Sequence, residues 1–470
     1  AEVAAIAELR AGDGEVLVAT DDTWTSGLTP VLKSGIYFGE RFDARLISED
    51  GAPAGSASID FDLGKLIAHE TNTVRELTEL APVRSFTDAA GRTVYDFGQN
   101  AAGYVAVKVE GTAGARLVIE HAEVLDHNGQ FDRESMRSAE ARVEYTLGGG
   151  GPESYRPYFT FFGFRFVRVA IEGDARVIDI KSVPISTAVT QTAAFSSAHP
   201  LVNRLVENTI WSQRSNFVDV PTDCPQRDER LGWTGDAQVF AATACYLHES
   251  QGILRKYVRD MIADQRADGA IPHVVPAPTR NHEDKVPGFF GSTGWGDAIC
   301  VIPLVLHDHY GDVEIVREAV PAMAKWNAFV WSISDGPIVR PRKEWGARGF
   351  TFGDWLQPVG GKWPLQKPFR TIGDDASATI YLYISSKLTA RAAAIAGDLP
   401  LEKRMTARAD EVKAAFQREF VTPSGRLVYD DQTSYALAIL HDLIPEALRD
   451  AGFSPGIISR GHGGEGGAPR

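Results

Sequence analysis

The stretch DVPTDCPQRDERLGWTGDAQVF, residues 219–240, carries five acidic side chains, two arginines, two prolines and one tryptophan. Its second half runs into an apolar pattern of helical period. It therefore marks a change in the chain. The residues before it alternate with period two, and the residues after it repeat every three to four positions.

Upstream, Val105, Val107 and Val109 alternate with Ala106, Lys108 and Glu110, the mark of a half-buried strand. Residues 116–124 do the same. In FFGFRFVRVAI (residues 161–171), Arg165, Val167, Val169 and Ile171 are expected on one side. Turn clusters such as DHNGQ and GGGGP separate these runs. The pattern predicts a β-sandwich over residues 76–188. A shorter, partial β unit is predicted over residues 1–75, with a strand running into a turn at EVLVATDDTW and a surface loop at EDGAPAGSAS.

Downstream, Val202, Leu205, Val206, Thr209 and Ile210 fall at helical spacing behind Pro200, a residue suited to a first helical turn. Ile253, Leu254, Tyr257, Val258, Met261 and Ile262 form a second stripe. Further helices are expected over 235–247, 296–310, 313–332, 375–396 and 401–418, and from near Thr433. Helices joined by long loops rich in Trp, Gly and Pro predict an α/α toroid over residues 189–450, with its site at the loop end. The final residues, 451–470, lose periodicity and predict a Gly-rich irregular tail.

Composition narrows the function. With 44% hydrophobic and 10% aromatic residues the chain can bury ample core. A net charge of −14 argues against nucleic acid as a partner, because phosphate needs a basic face. Cys224, Cys245 and Cys300 are odd in number and at no metal-ligand spacing, so neither a disulfide framework nor a zinc site is expected. They suit a reducing compartment, and the expected location is cytoplasmic. No apolar run of 18 residues predicts a membrane span, and no signal peptide is visible. His307 and His309 lie two apart on a predicted helix and point to different faces, so no metal or cofactor is expected.

Carboxylates beside tryptophan and arginine suit glycosidic bond cleavage. One carboxyl group protonates the leaving oxygen, and a second activates water or attacks the sugar. The proton donor must be desolvated or set beside another negative charge. Further carboxylates accept from sugar hydroxyls, and aromatic faces pack on the apolar side of the ring. Asp223, Asp228, Glu229, Asp236 and Trp233 supply these parts. The residue types alone also allow a plainer reading. Asp236 then favours a helix N-terminus, Asp228 and Glu229 pair with Arg227 and Arg230 in a solvated cluster, and Trp233 is core.

Residue order adds more. NFVDVPTDCPQRDERLGWTGDAQVFAATACY resembles the signature of the bacterial α-L-rhamnosidase family almost without interruption. Upstream, DFGQNAAGYVAVKVEGTAGARLVIEHAEVL and YRPYFTFFGFRFVRV resemble that family's β-sandwich domain. DDTWTSGLTPVLKSGIYFGERFDARL resembles the end of the domain before it. Downstream, GWGDAICVIPLVLHDHYGD and FGDWL also fit. The resemblance implies an (α/α)6 barrel, inversion, and rhamnosides or rhamnose-containing oligosaccharides as substrate. By position it implies Glu229 as general acid. It places Asp223 and Asp236, with Asp228, around the sugar hydroxyls, Trp233 at the sugar and Arg227 as an orienting partner. Trp295, Asp297, Asp354 and Trp355 fall in matching loop motifs and are expected to bind substrate. Rhamnose carries a methyl group where most hexoses carry a hydroxymethyl, which an apolar tryptophan wall would suit.

The resemblance stops after DDQTSYALAILHDLIPEALRDAGF, before the family's general base. Glu465, flanked by glycines, is not assigned that role. About eight helices are expected where the barrel has twelve, so the chain is expected to be a piece of a longer protein, incomplete at both ends. Uncovered helix faces at ~25 cal/mol per Å2 of apolar surface would leave it marginally stable and nearly inactive alone. The alternative is a rhamnose-binding or structural remnant lacking the base. A toroid lyase acting on acidic polysaccharide would need basic residues in the cleft, which an acid-rich loop opposes.

Overall fold

The computed structural model describes residues 7–452 except 22, 48–53, 56–59, 61, 63, 65, 279–288, 343–346, 356–373 and 430. The predicted loop EDGAPAGSAS and the predicted tail fall almost wholly outside the described residues. The chain divides into two compact units. The first comprises Ala1–Glu70, Val74–Ser186 and Cys224–Arg230, and the second comprises Thr71–Thr73, Thr187–Asp223 and Leu231–Arg470.

The first unit is built on a ten-stranded sheet. Its strands are β1 (Val31–Gly35), β2 (Gly39–Asp43), β3 (Arg75–Glu76), β4 (Arg84–Thr87), β5 (Thr93–Gly111), β6 (Arg116–Ala122), β7 (Arg142–Thr146), β8 (Glu153–Tyr155), β9 (Phe162–Glu172) and β10 (Ala175–Ser186). The order is β1-β2-β7-β6-β9-β5-β10-β3, with β4 and β8 also on β5. The long β5 makes the sheet curl. Near its start it pairs with β4 and β9, and near its end with β8 and β10. Strands from the expected 1–75 unit join this same sheet, β2 running parallel to β7. The predicted strand in EVLVATDDTW forms at Val16–Ala19, pairs with Glu8–Arg10 and ends in a turn closed by Trp24 N–H on the Asp21 carbonyl.

Val105, Val107 and Val109 are buried together as their alternation predicts. In β9 the alternation breaks. The register shifts between Phe164 and Phe166, so Phe162 and Phe164 share the core with Val167 and Val169. Arg165 therefore leaves the side expected for it and pairs through Nε with Oδ1 of the buried Asp96 at 2.7 Å. Ile171, on the same side as Val167 and Val169, is 41% exposed near the end of the strand. An extra residue in one strand reverses the faces beyond it, and a strict period of two cannot show where that happens.

The second unit is helical: α1 (Pro200–Asn216), α2 (Thr234–Leu247), α3 (Gln251–Asp264), α4 (Ala298–Tyr310), α5 (Val313–Ser332), α6 (Asp374–Ala396), α7 (Leu399–Phe420), α8 (Gln432–Leu440) and α9 (Glu446–Gly452). Each predicted helix forms. The α3 stripe is buried from Ile253 to Met261. α2, α4, α6 and α8 neighbour one another in turn, while α3, α5 and α7 pack outside them. That is the layering of stacked helical hairpins. α4 and α6 are buried on most of their surface. α6 can be so because its serines and threonines bond to a neighbour: Asn327 on α5 donates to Thr389 Oγ1 at 2.8 Å and accepts from Ser386 at 3.0 Å.

α1 differs. Pro200 opens it as predicted, yet its stripe is only part-buried: Val202 is 38% and Leu205 64% exposed, and Val206, Thr209 and Ile210 are half-buried. Val239 and Tyr246 on α2 are exposed as well. No helix among the described residues is long and apolar enough to cross a membrane.

Candidate active site

The predicted stretch is shared out along the chain. Cys224–Arg230 belongs to the first unit, and Asp223 and the residues from Leu231 on belong to the second. Each part is built by its own neighbours.

In the first unit, Arg230 anchors the segment. It is 5% exposed and pairs with no carboxylate among the described residues. Its guanidinium instead donates to the carbonyls of Phe161 (2.7 Å), Gln226 (2.9 Å) and Arg227 (3.0 Å), and lies over the rings of Tyr37 and Phe161. Burial pulls its pKa down to about 10. Arg230 has φ +51, a conformation rare for any residue but glycine. The expected pairing of Arg230 with Asp228 or Glu229 is thus replaced by a carbonyl cage. Removing the cation strands three carbonyls, so Arg230→Ala is expected to destabilise the first unit by roughly 2–4 kcal/mol, read as a lower urea midpoint.

Glu229 faces cations. Its Oε2 accepts from Arg227 Nε at 3.1 Å and from Arg137 Nη2 at 3.1 Å. Its backbone carbonyl accepts from the Tyr37 hydroxyl at 2.6 Å. The Glu229 side chain is 20% exposed. Asp228 beside it accepts from Arg137 Nε at 2.6 Å and from the Ser138 hydroxyl. Those bonds, the hydroxyl first, hold the Asp228 carboxyl below its usual range. Arg227 thus sits on the Glu229 carboxylate. Arg137, Ser138 and Tyr37 were not legible as members of this cluster, because they come from loops 90 or more residues earlier. Glu123, on the loop after β6, is raised by burial and also feels Arg227.

In the second unit, Asp223 closes the loop that carries the segment back. Its N–H donates to the Leu231 carbonyl at 3.0 Å, and its Oδ1 accepts from the Leu231 N–H at 2.9 Å. Asp223 and Asp236 line one cleft of about 230 Å3, with Pro221, Ala237 and Phe240 among its walls. Asp236 stands exposed in the first turn of α2, where an acid also favours the helix N-terminus.

The aromatic residues converge on Phe352. Its ring centroid lies 4.4 Å from Trp295, 5.1 Å from Trp355 and 5.9 Å from Trp233. His273 lies 4.9 Å away on another side. Trp233, His273 and Trp295 come from distant segments, Trp355 from Phe352's own motif, and they meet at one ring. Phe352 belongs to the FGDWL motif but was not singled out, since a lone phenylalanine has no chemical signature. Two glycines permit the approach. A Cβ on Gly235 would lie 2.7 Å from the Trp295 indole nitrogen, and one on Gly296 would lie 2.4 Å from the Trp326 ring. His273 holds the Ser292 loop by accepting its N–H at Nε2 (2.9 Å), and burial drives the imidazole down to about 3, so it stays neutral. Asp354 accepts from the Thr433 hydroxyl at 2.8 Å. Tyr381 on α6 packs against Gly294 and is pushed up to about 12 by burial, with Asp297 and Asp354 adding to it.

Asp297 takes a different place from its neighbours. It is fully buried. Its carboxylate accepts from Trp326 Nε1 (2.9 Å), the Gly294 N–H (2.6 Å) and the Ser385 hydroxyl. It therefore ties the Trp295 turn to α5 and α6 from beneath.

Residues 190–454 match the family described as bacterial alpha-L-rhamnosidase 6 hairpin glycosidase domain, and residues 87–186 match the bacterial alpha-L-rhamnosidase concanavalin-like domain. A solved α-L-rhamnosidase of Streptomyces avermitilis, complexed with L-rhamnose, is 34% identical with a TM-score of 0.83. The match covers 94% of this chain and 42% of that one. A solved α-L-rhamnosidase of Dictyoglumus thermophilum is 27% identical with a TM-score of 0.84, over 95% of this chain and 50% of that one. An α-L-rhamnosidase of Alteromonas sp. is 31% identical over 92% of this chain and 47% of its own length. The chain spans less than half the length of the curated relatives it matches. A curled β domain and stacked helical hairpins, in this order and with these sequence matches, make the chain a member of the bacterial α-L-rhamnosidase family.

Proposed function

We propose that this chain acts in hydrolysing terminal α-L-rhamnose from rhamnosides, with inversion and with Glu229 as general acid. The observation that carries the reading is the convergence of Trp233, Trp295 and Trp355 on Phe352, in a chain similar to a solved α-L-rhamnosidase complexed with L-rhamnose. An apolar wall suits the 6-methyl group of rhamnose, whereas a hydrogen-bonding residue there would favour a hydroxymethyl sugar. Asp223, Asp236 and Asp354 are carboxylates suited to the ring hydroxyls, and Asp228 serves the acid's own setting.

In this mechanism the bond between the anomeric carbon and the leaving oxygen breaks as Glu229 gives its proton to that oxygen. Water attacks the opposite face of the sugar, and a second carboxylate takes a proton from it, the two carboxyl groups lying ~6.5–9.5 Å apart. The second role is unassigned in this chain. Glu229 then ends the step as a carboxylate between Arg137 and Arg227, where its new charge is met by cations already in place.

The test is to incubate the chain with an alkyl α-L-rhamnoside and follow the sugar by proton NMR. The expected first product is β-L-rhamnose, which then mutarotates. Early release of the α-anomer would refute inversion. No release, with no calorimetric binding of L-rhamnose, would refute the assignment to this chain.

A further inference from the structure

We infer that Arg137 is a positioning residue for Glu229: it fixes the carboxyl group through Oε2 while Asp228 fixes Arg137. The inference rests on the reading of Glu229 as proton donor. Arg137 follows a 3-10 turn, Glu134–Met136, in the first unit. Its φ is +52, and Ala141 four residues on has φ +42. Non-glycine residues hold such conformations where the surroundings over-determine them, commonly at functional sites. The surroundings here are specific. Met136, Ala139 and Ala141 are buried, and Arg133 spans the loop, pairing with Glu120 at 3.0 Å and donating to the Glu140 carbonyl. Ser138 donates to Asp228 from the same loop.

The guanidinium bridges two carboxylates, Nε on Asp228 at 2.6 Å and Nη2 on Glu229 at 3.1 Å. Half of the Arg137 side chain is exposed, and exposed ion pairs contribute little to stability. The bridge itself therefore adds little stability, and what it supplies is orientation. Arg137 and Arg227 grip the same oxygen of Glu229, Oε2. When the donated proton leaves, the charge spreads to Oε2 between two guanidiniums that need no rearrangement. Asp228, held anionic by Ser138 and Arg137, keeps Arg137 in place whether or not Glu229 bears its proton.

The test uses the full chain with Arg137→Ala, Arg137→Gly and Arg137→Lys on an alkyl α-L-rhamnoside. Arg137→Gly suits the positive φ, so a folding defect confined to the alanine variant is told apart from loss of the side chain. Expected is a fall in kcat of about 100-fold for both truncations, the effect of a small misplacement of a reacting group. KM should stay within about twofold. Added guanidinium should restore part of the rate, and lysine should keep more of it than alanine. Wild-type kcat in Arg137→Gly, or a rise in KM alone, would overturn the proposal. Glu229→Gln run alongside separates the two claims: wild-type turnover there defeats the reading of Glu229 itself. High-resolution crystal structures of wild type and Arg137→Gly decide the positioning claim without turnover. Glu229 spread over several rotamers supports it, and an unmoved carboxyl group defeats it.

Discussion

On the proposed function, Glu229→Gln is expected to lower release of L-rhamnose from an alkyl α-L-rhamnoside by ~100- to 10,000-fold, the usual contribution of a general acid. The leaving group decides how much of this is seen. An alkoxide is a poor leaving group and needs its proton as the bond breaks. A p-nitrophenolate leaves readily without one. The variant is therefore expected to lose far more on the alkyl substrate than on p-nitrophenyl α-L-rhamnoside. Glutamine keeps the size of the side chain and can still accept from Arg137 and Arg227 through its carbonyl oxygen. A loss of rate thus reports the proton and not the fold. The measurement is kcat/KM on both substrates. Equal losses on the two, or none on either, would remove Glu229 from the acid role.

Asp297→Ala produces the largest loss of stability. The carboxylate is fully buried and meets three donors: the Trp326 indole, the Gly294 N–H and the Ser385 hydroxyl. Alanine removes the acceptor that all three share. Each stranded donor costs about 1–3 kcal/mol, so roughly 4 kcal/mol is expected, a large part of the ~5–15 kcal/mol that holds a typical domain. In a helical unit of this size that corresponds to a fall of roughly 10 °C in Tm. The Trp295 turn loses its tie to α5 and α6, so affinity for L-rhamnose should fall with it, read by calorimetry below the new Tm.

The pH dependence has a definite sign. Burial raises the Asp297 pKa above the ordinary 3.8, against the pull of its three donors. The native state then holds this proton more tightly than the unfolded chain. The associated stabilisation is complete below the ordinary value and is lost as pH rises through the raised one. Asp297→Asn cannot titrate. Its stability deficit relative to wild type, from urea unfolding at a series of pH values, should narrow as pH rises across that window. A deficit that widens would reverse the assignment.

Features that repeat locally were legible in the amino-acid order alone. Helices at 251–264 and 313–332 could be read because a core-facing stripe recurs with the helix period, and they form where that stripe lies. The strand around Val105 was legible for the same reason with a period of two. The acidic stretch at 219–240 was legible as part of a family signature because residue order carries family membership, which needs no coordinates. Features that depend on a partner far along the chain were set by packing. The bulge in β9 turned Arg165 towards Asp96, and no local period records an inserted residue. The charge cluster predicted between Asp228, Glu229 and the neighbouring arginines kept Arg227 but gave Arg230 to three carbonyls. Arg137, some 90 residues away, supplied the missing cation. Asp297 and Asp354 look alike in sequence, yet one is sealed beneath a tryptophan turn and the other meets a threonine hydroxyl at the loop end. Burial and ion pairing are properties of the packed neighbourhood, and the chain's own periodicity does not contain it.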